Sequence, residues 1–131
     1  DLVLKANADD LLACAHDIDS GGLALALAEC CHGGQGANIV LTHELLNEAG
    51  GLDKALFGFP PVGIILGAHP GSGEALKALA SEHGLKAHSV GNSNGKELLI
   101  NAEGEPAHCV SFSSQELASI HELALPYWLS I

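Results

Sequence analysis

The 131-residue chain has no arginine and no methionine, and its aromatics are three Phe, one Tyr and one Trp. Without arginine it lacks the forked donor that best grips phosphate, so a bound phosphate must be held by backbone N–H groups, a helix N-terminus, a metal or another chain. The only cations besides histidine are Lys5, Lys54, Lys77, Lys86 and Lys96, set against 16 Asp and Glu, for a net charge of −11. A surface this acidic repels phosphate backbones and anionic lipid, which argues against nucleic-acid and membrane partners. Long apolar runs are also missing. Leu23 to Ala28, the longest, falls far short of the ~20 residues of a bilayer span, and no signal peptide opens the chain. The lack of methionine in a chain that starts at Asp1 leads to the expectation of a piece of a longer protein.

What is present is enough apolar material for a core, 47% of residues, in a length matching one domain of about 150 residues. Residues 1–131 are therefore read as a single domain, with no repeat, linker or low-complexity tract. Leu11 to His16 has the length and apolarity of a strand, and Asp17-Ile18-Asp19-Ser20-Gly21-Gly22 then turns into an Ala/Leu-rich helix from Leu23 to about His32, stopped by Gly33-Gly34. Ala37 to Leu41 predicts a second strand, Thr42 a cap for a short helix through Asn47, and Leu52 to Phe57 another helical turn ended by Gly58 and Pro60-Pro61. Val62 to Ala68 reads as a strand buried on both faces. Glu74 to His83 follows as a helix and Lys86 to Val90 as a strand, together a βαβ-like unit with a right-handed crossover if its strands are parallel neighbours. Asn92 to Gly95 reads as a turn, Leu98 to Ala102 and His108 to Phe112 as strands. Ser113 and Glu116 form a capping box for a last helix that Pro126 ends or kinks.

Asp17 to Gly22 is the candidate site. A strand that delivers two carboxylates and a Gly-Gly turn to a helix N-terminus combines metal-binding oxygens with exposed N–H donors, a combination suited to Mg-phosphate. The simpler alternative is that Asp19 or Ser20 only caps the helix while the glycines permit a tight turn.

The run His16-Asp17-Ile18-Asp19-Ser20-Gly21-Gly22-Leu23-Ala24-Leu25-Ala26-Leu27-Ala28-Glu29 resembles a signature of the phosphoribosylformylglycinamidine synthase family, large or II subunit. Gly36-Ala37-Asn38-Ile39, Leu56-Phe57-Gly58, Val62 to Leu66, Glu74 to Gly84, Val90-Gly91 and Glu116 to Trp128 continue the likeness over nearly the whole chain. The resemblance implies an α/β (α+β) fold, a mixed β-sheet flanked by helices like the C-terminal domain of the aminoimidazole ribonucleotide (AIR) synthase superfamily, present as a partial domain. It also implies a part in the cytoplasmic ligase that converts formylglycinamide ribonucleotide to its amidine in purine biosynthesis, with ATP and Mg as cofactors of the parent enzyme and glutamine as amide donor. The implied partners are an N-terminal ATP-binding domain of the same parent chain and a glutaminase subunit or domain, with a homodimer through an exposed sheet edge as a further expectation. Asp17, Asp19, Ser20, Gly21 and Gly22 would line a substrate- and phosphate-bearing cleft completed by protein outside this chain, and no catalytic residue or metal ligand is assigned. The isolated fragment is expected to be inactive and to hold no cofactor tightly.

Two departures stand out. The family's Ser-then-acid pair is inverted here as Asp19-Ser20, and its Glu-Ser-x-x-Arg stretch is replaced by Phe59-Pro60-Pro61-Val62-Gly63, which removes the charged groups of that loop. Other readings are another ATP-using enzyme of the superfamily, such as AIR synthase, thiamine-monophosphate kinase or selenide water dikinase, or a non-catalytic structural or docking domain. Cys14, Cys30, Cys31 and Cys109 lack paired spacing and read as reduced thiols of a cytosolic protein, Cys14 and Cys30 as small buried groups. No zinc-ligand spacing joins them to His16 or His32. Gly71-Ser72-Gly73 reads as an N-cap turn, since the Lys-(Ser/Thr) of a P-loop is missing.

Overall fold

The computed structural model describes residues 1–58, 63–107 and 109–129, with the side chains of Leu125, Tyr127 and Trp128 outside the description. The loop expected at Phe59 to Val62, the start of the strand expected at His108, and the core or docking role expected of Tyr127 and Trp128 lie outside the described residues.

Twelve elements follow in the order α1 (Leu2–Ala8), β1 (Leu12–Asp17), α2 (Gly22–Cys30), β2 (Ala37–Leu41), α3 (His43–Ala49), α4 (Leu52–Phe57), β3 (Ile64–Ala68), α5 (Gly73–Glu82), β4 (Gly91–Ser93), β5 (Glu97–Ala102), β6 (Val110–Ser113) and α6 (Ser114–Leu129). The main sheet has the order β4-β2-β5-β6 and is mixed. β2 and β5 run parallel from Ala37↔Leu98 to Leu41↔Ala102, while β4 pairs antiparallel with β2 and β6 antiparallel with β5. The two-residue period of a strand sends Ile39, Leu41, Leu98, Ile100 and Ala102 to one face, all buried. Leu27 and Cys31 of α2 and its C-terminal turn, and Leu56 of α4, join this cluster, with Leu45, Leu46 and Leu117 packed around it. Leu41, Leu98 and Ile100 are the largest fully buried side chains, each contributing about 2 kcal/mol through removal from water. A smaller cluster, Ala6 with Leu76 and Leu79, fastens α1 to α5.

Local signals account for most helix boundaries. The Thr42 hydroxyl accepts from the Leu45 N–H to open α3, and the Glu103 carboxylate accepts from the His43 N–H across the sheet at 2.8 Å. The capping box is present: Ser113 N–H donates to Glu116 Oε2 at 2.8 Å and Glu116 N–H to Ser113 Oγ at 3.1 Å. The Ser113 N–H and the Ser113 hydroxyl, both donating to Glu116 Oε2 at 2.8 Å, hold that carboxyl below its ordinary range.

Four expectations are corrected. First, β3 is not a strand buried on both faces. Among the described residues it pairs only with β1, antiparallel from Leu12↔Ala68 to Asp17↔Ile64, in a separate two-stranded sheet, and Ile64 is 48% exposed. Its glycine is required by the pairing rather than by burial, since a Cβ on Gly67 would lie 2.5 Å from Cys14 Sγ. Second, β3, α5 and the following segment do not form a βαβ unit, because the strands they connect belong to different sheets. Third, Lys86 to Val90 is not a strand. Lys86 pairs with Glu44 and Glu48, and His88 Nε2 lies 3.0 Å from Glu48 Oε2, so side chains tie this segment to α3. The ladder starts later, as Val40 N–H donates to the Val90 carbonyl, and the pairing strand is Gly91–Ser93, where a turn was expected. Fourth, α6 continues through Pro126 to Leu129. A proline removes one helical donor, and close to a C-terminus that loss does not stop the helix.

Candidate functional site

Asp17 closes β1, and the chain reaches α2 through Ile18, Asp19, Ser20 and Gly21. β1 is held on one side by β3, and the pairing continues one step further, as Ile18 N–H donates to the Gly63 carbonyl at 2.8 Å. Gly21 is the N-cap of α2 at φ +100°, and Gly22 follows at φ +70°. Both values lie in the left-handed region that glycine enters without strain. Gly22 also has no room for a side chain, since a Cβ there would stand 2.6 Å from the Leu56 carbonyl oxygen and 2.8 Å from Phe57 Cα. The turn is thus seated on the C-terminal end of α4.

No side chain caps α2, so the simple capping role weighed for Asp19 or Ser20 is not observed. The Gly22 N–H donates to the Asp19 carbonyl at 3.0 Å and is therefore committed inside the turn. Asp17, Asp19, Ser20 and Gly21 are exposed, the Asp17 side chain at 83%, while Gly22 is buried. The structure therefore brings all five sequence-predicted residues into one bend. Shallow hollows are found along β6 and α6, from Phe112 to Ala124. The bend stands on an open surface.

Sequence reasoning passed over two residues that flank this bend. His16 Nε2 lies 3.1 Å from Glu29 Oε2, and His16 Nδ1 lies 2.6 Å from the Asp17 carbonyl oxygen. The available signal was a histidine directly before the first carboxylate and a glutamate near the far end of the helix. Among the described residues, no group of three or more His, Cys, Asp or Glu is placed to hold a metal ion.

The four cysteines are free. Cys14 is exposed and Cys30 half-buried, which corrects the expectation of two buried thiols; Cys31 is the buried one, since it faces the main core while Cys14 stands on the ribbon. Burial, then the neighbouring Cys14, Cys31 and Glu29, push the Cys30 thiol up to about 11, which keeps it protonated and poorly nucleophilic near neutral pH.

A mixed sheet with its helices packed on the buried face, and a glycine bend that opens a helix beside paired carboxylates, define the class as an α/β domain. The family model "AIR synthase related protein, C-terminal domain" matches residues 1–100, and the chain belongs to that family. It is 34% identical over 98 residues to the phosphoribosylformylglycinamidine synthase subunit PurL of Thermomicrobium roseum, covering 75% of this chain and 13% of that protein. It is 30% identical over 127 residues to the subunit of the same name from Thermobifida fusca, covering 95% of this chain and 15% of the relative. The chain thus spans about a seventh of these relatives. Thermotoga maritima PurL has the same fold, with a TM-score of 0.74 in its complex with FGAR and 0.72 in its complex with ATP, at 18% and 17% identity. Each comparison covers 89% of this chain and 20% of that one.

Proposed function

We propose that this chain is a single C-terminal domain of an ATP-dependent C–N ligase that converts formylglycinamide ribonucleotide to formylglycinamidine ribonucleotide in purine biosynthesis. In that reaction ATP phosphorylates the amide oxygen, phosphate becomes the leaving group, and ammonia derived from glutamine displaces it. The similarity to PurL subunits supports the assignment. The work falls to positioning and charge neutralisation, which is what phosphoryl chemistry asks of a protein.

The observation that carries the reading is the uncapped bend. Asp17 and Asp19 present carboxylates and Ser20 a hydroxyl beside the positive end of α2, and none of these side chains is used to close the helix. Hard oxygen donors of this kind suit Mg²⁺, and two carboxylates supply only part of a coordination shell, the rest falling to phosphate oxygens, water or another domain. Bound there, Mg²⁺ would neutralise phosphate charge next to the acidic pair. The open surface at the bend is consistent with a cleft whose opposite wall is an ATP-binding domain of the same parent chain, with a glutaminase as the ammonia source. On this reading the protein works in the cytoplasm, and the separate chain is inactive and binds nucleotide only weakly.

Asp17→Ala in the full-length enzyme is expected to weaken Mg-ATP or substrate binding, or turnover, by about tenfold, the scale of one lost charge-assisted contact. Unchanged kinetics would refute the assignment. A second reading, a purely architectural domain, is favoured by the solvent exposure of Asp17, Asp19 and Ser20; calorimetric titration of the chain with Mg-ATP counts against it if binding is seen. Pairing of two copies through the free edges of the β1–β3 ribbon is checked by sedimentation over a concentration series.

A further inference from the structure

We propose that His16 is a positioning residue for the Asp17–Gly22 bend, with Glu29 as its anchor on α2; the proposal rests on reading that bend as the phosphate-facing wall. The imidazole is 31% exposed and sits where β1 meets α2. Nδ1 lies 2.6 Å from the Asp17 carbonyl oxygen and Nε2 lies 3.1 Å from Glu29 Oε2. Both neighbours are hydrogen-bond acceptors, and each ring nitrogen stands within hydrogen-bond distance of one of them. The Asp17 carboxylate is the other charge facing the ring, at 3.8 Å from Nδ1, and the β3 residue paired with His16 is the apolar Ile65.

The consequence is geometric. Glu29 is the penultimate residue of α2, so the ring ties the last residues of β1 to the far end of the helix, and the bend is the apex of the loop closed in this way. Within the apex the hydrogen bonds are sparse: Gly22 N–H to the Asp19 carbonyl, and Ile18 N–H to the Gly63 carbonyl. Gly22 seats the end of the bend against α4, whereas the exposed Asp19, Ser20 and Gly21 before it have little packing of their own. The angle between β1 and α2 therefore sets where the carboxylates point. His16 grips the backbone of Asp17 directly, and Asp17, 83% exposed, has little other packing to orient it.

The test uses the ¹⁵N-labelled 131-residue chain, with amide hydrogen exchange and titration by Mg-ATP and by inorganic phosphate. His16→Ala and Glu29→Ala are each expected to speed exchange at the Gly22 and Leu23 amides, and to weaken phosphate-induced shifts there, by about tenfold, the scale of one charge-assisted hydrogen bond. Exchange at Ile39 and Ile100 in the main sheet should stay unchanged, which a general loss of stability would not allow. Glu29→Gln keeps an acceptor and should retain most of the wild-type behaviour, and it carries the test together with Glu29→Ala if His16→Ala unfolds. Exchange at the bend that is unmoved by Glu29→Ala and His16→Ala overturns the proposal. A wild-type chain that ignores Mg-ATP and phosphate while its bend still loosens in the variants overturns the phosphate reading alone.

Discussion

The two sheets of this domain are built on opposite terms. In the four-stranded sheet, Leu41, Leu98 and Ile100 have lost essentially all contact with water, and helices cover that face. In the β1–β3 ribbon most of β1 is exposed, Ile64 is about half exposed, and neither strand has a second neighbour among the described residues. Burial dominates in the first sheet, whereas the second combines one set of cross-strand bonds with lighter packing, Ile65 against the main cluster and Leu12 against the smaller one. The difference bears on the proposed site: Asp17 closes the lightly packed ribbon and Asp19 follows it, and both side chains are exposed rather than committed to the core.

That contrast is broken most sharply by matched truncations in the two sheets. Ile100→Ala is expected to lower stability by about 2–5 kcal/mol through lost burial and the cavity left behind, and Ile64→Ala by about 1 kcal/mol or less, both read from urea unfolding curves; equal losses would erase the distinction. Gly22→Ala should cost about 2–4 kcal/mol, combining a strained positive φ with a Cβ forced against the end of α4, so the bend is rigidly seated even though its surroundings are open. Thr42→Ala removes the side-chain cap of α3 and should cost about 1 kcal/mol in the same assay. Asp17→Asn is the opposite extreme, with stability unchanged within about 0.5 kcal/mol; a larger loss would mean that the exposed carboxylate is structural.

A pH measurement sharpens the picture at α6. The Ser113 backbone N–H and hydroxyl hold the folded Glu116 carboxyl below its ordinary range. The folded value is depressed, so the contribution is present above the unfolded value and is lost as pH falls through the folded one. Helicity followed by circular dichroism on acidification should therefore fall at the start of α6, and Glu116→Gln should flatten that part of the titration.

Much of the site was legible because it is local. Two acids, two glycines and an Ala/Leu run within one short segment specify a strand, a bend and a helix whichever elements pack around them. His16 and Glu29 went unnoticed because their meeting depends on how α2 folds back along β1, which no local periodicity encodes. The β3 error has the same root: an apolar stretch interrupted by glycines has the same composition in a central strand as in a ribbon whose glycine makes way for Cys14. Lys86 to Val90 reads as a strand, yet the carboxylates of α3 hold the Lys86 and His88 side chains, a pairing that no local pattern encodes.

By itself the sequence determined the class of the domain, the positions of β2, α4 and β5, the capping box at Ser113, and the grouping of Asp17 to Gly22 in one bend, because propensity, capping and the two-residue period act over a few neighbouring residues. Tertiary structure alone decided that the strands divide between two sheets, that Gly22 rests against α4, that the bend is uncapped and exposed, and that the His16 ring lies between the Asp17 carbonyl and Glu29. Each of those depends on residues distant in the chain meeting in space, where burial and pairing of the whole domain outweigh local preference.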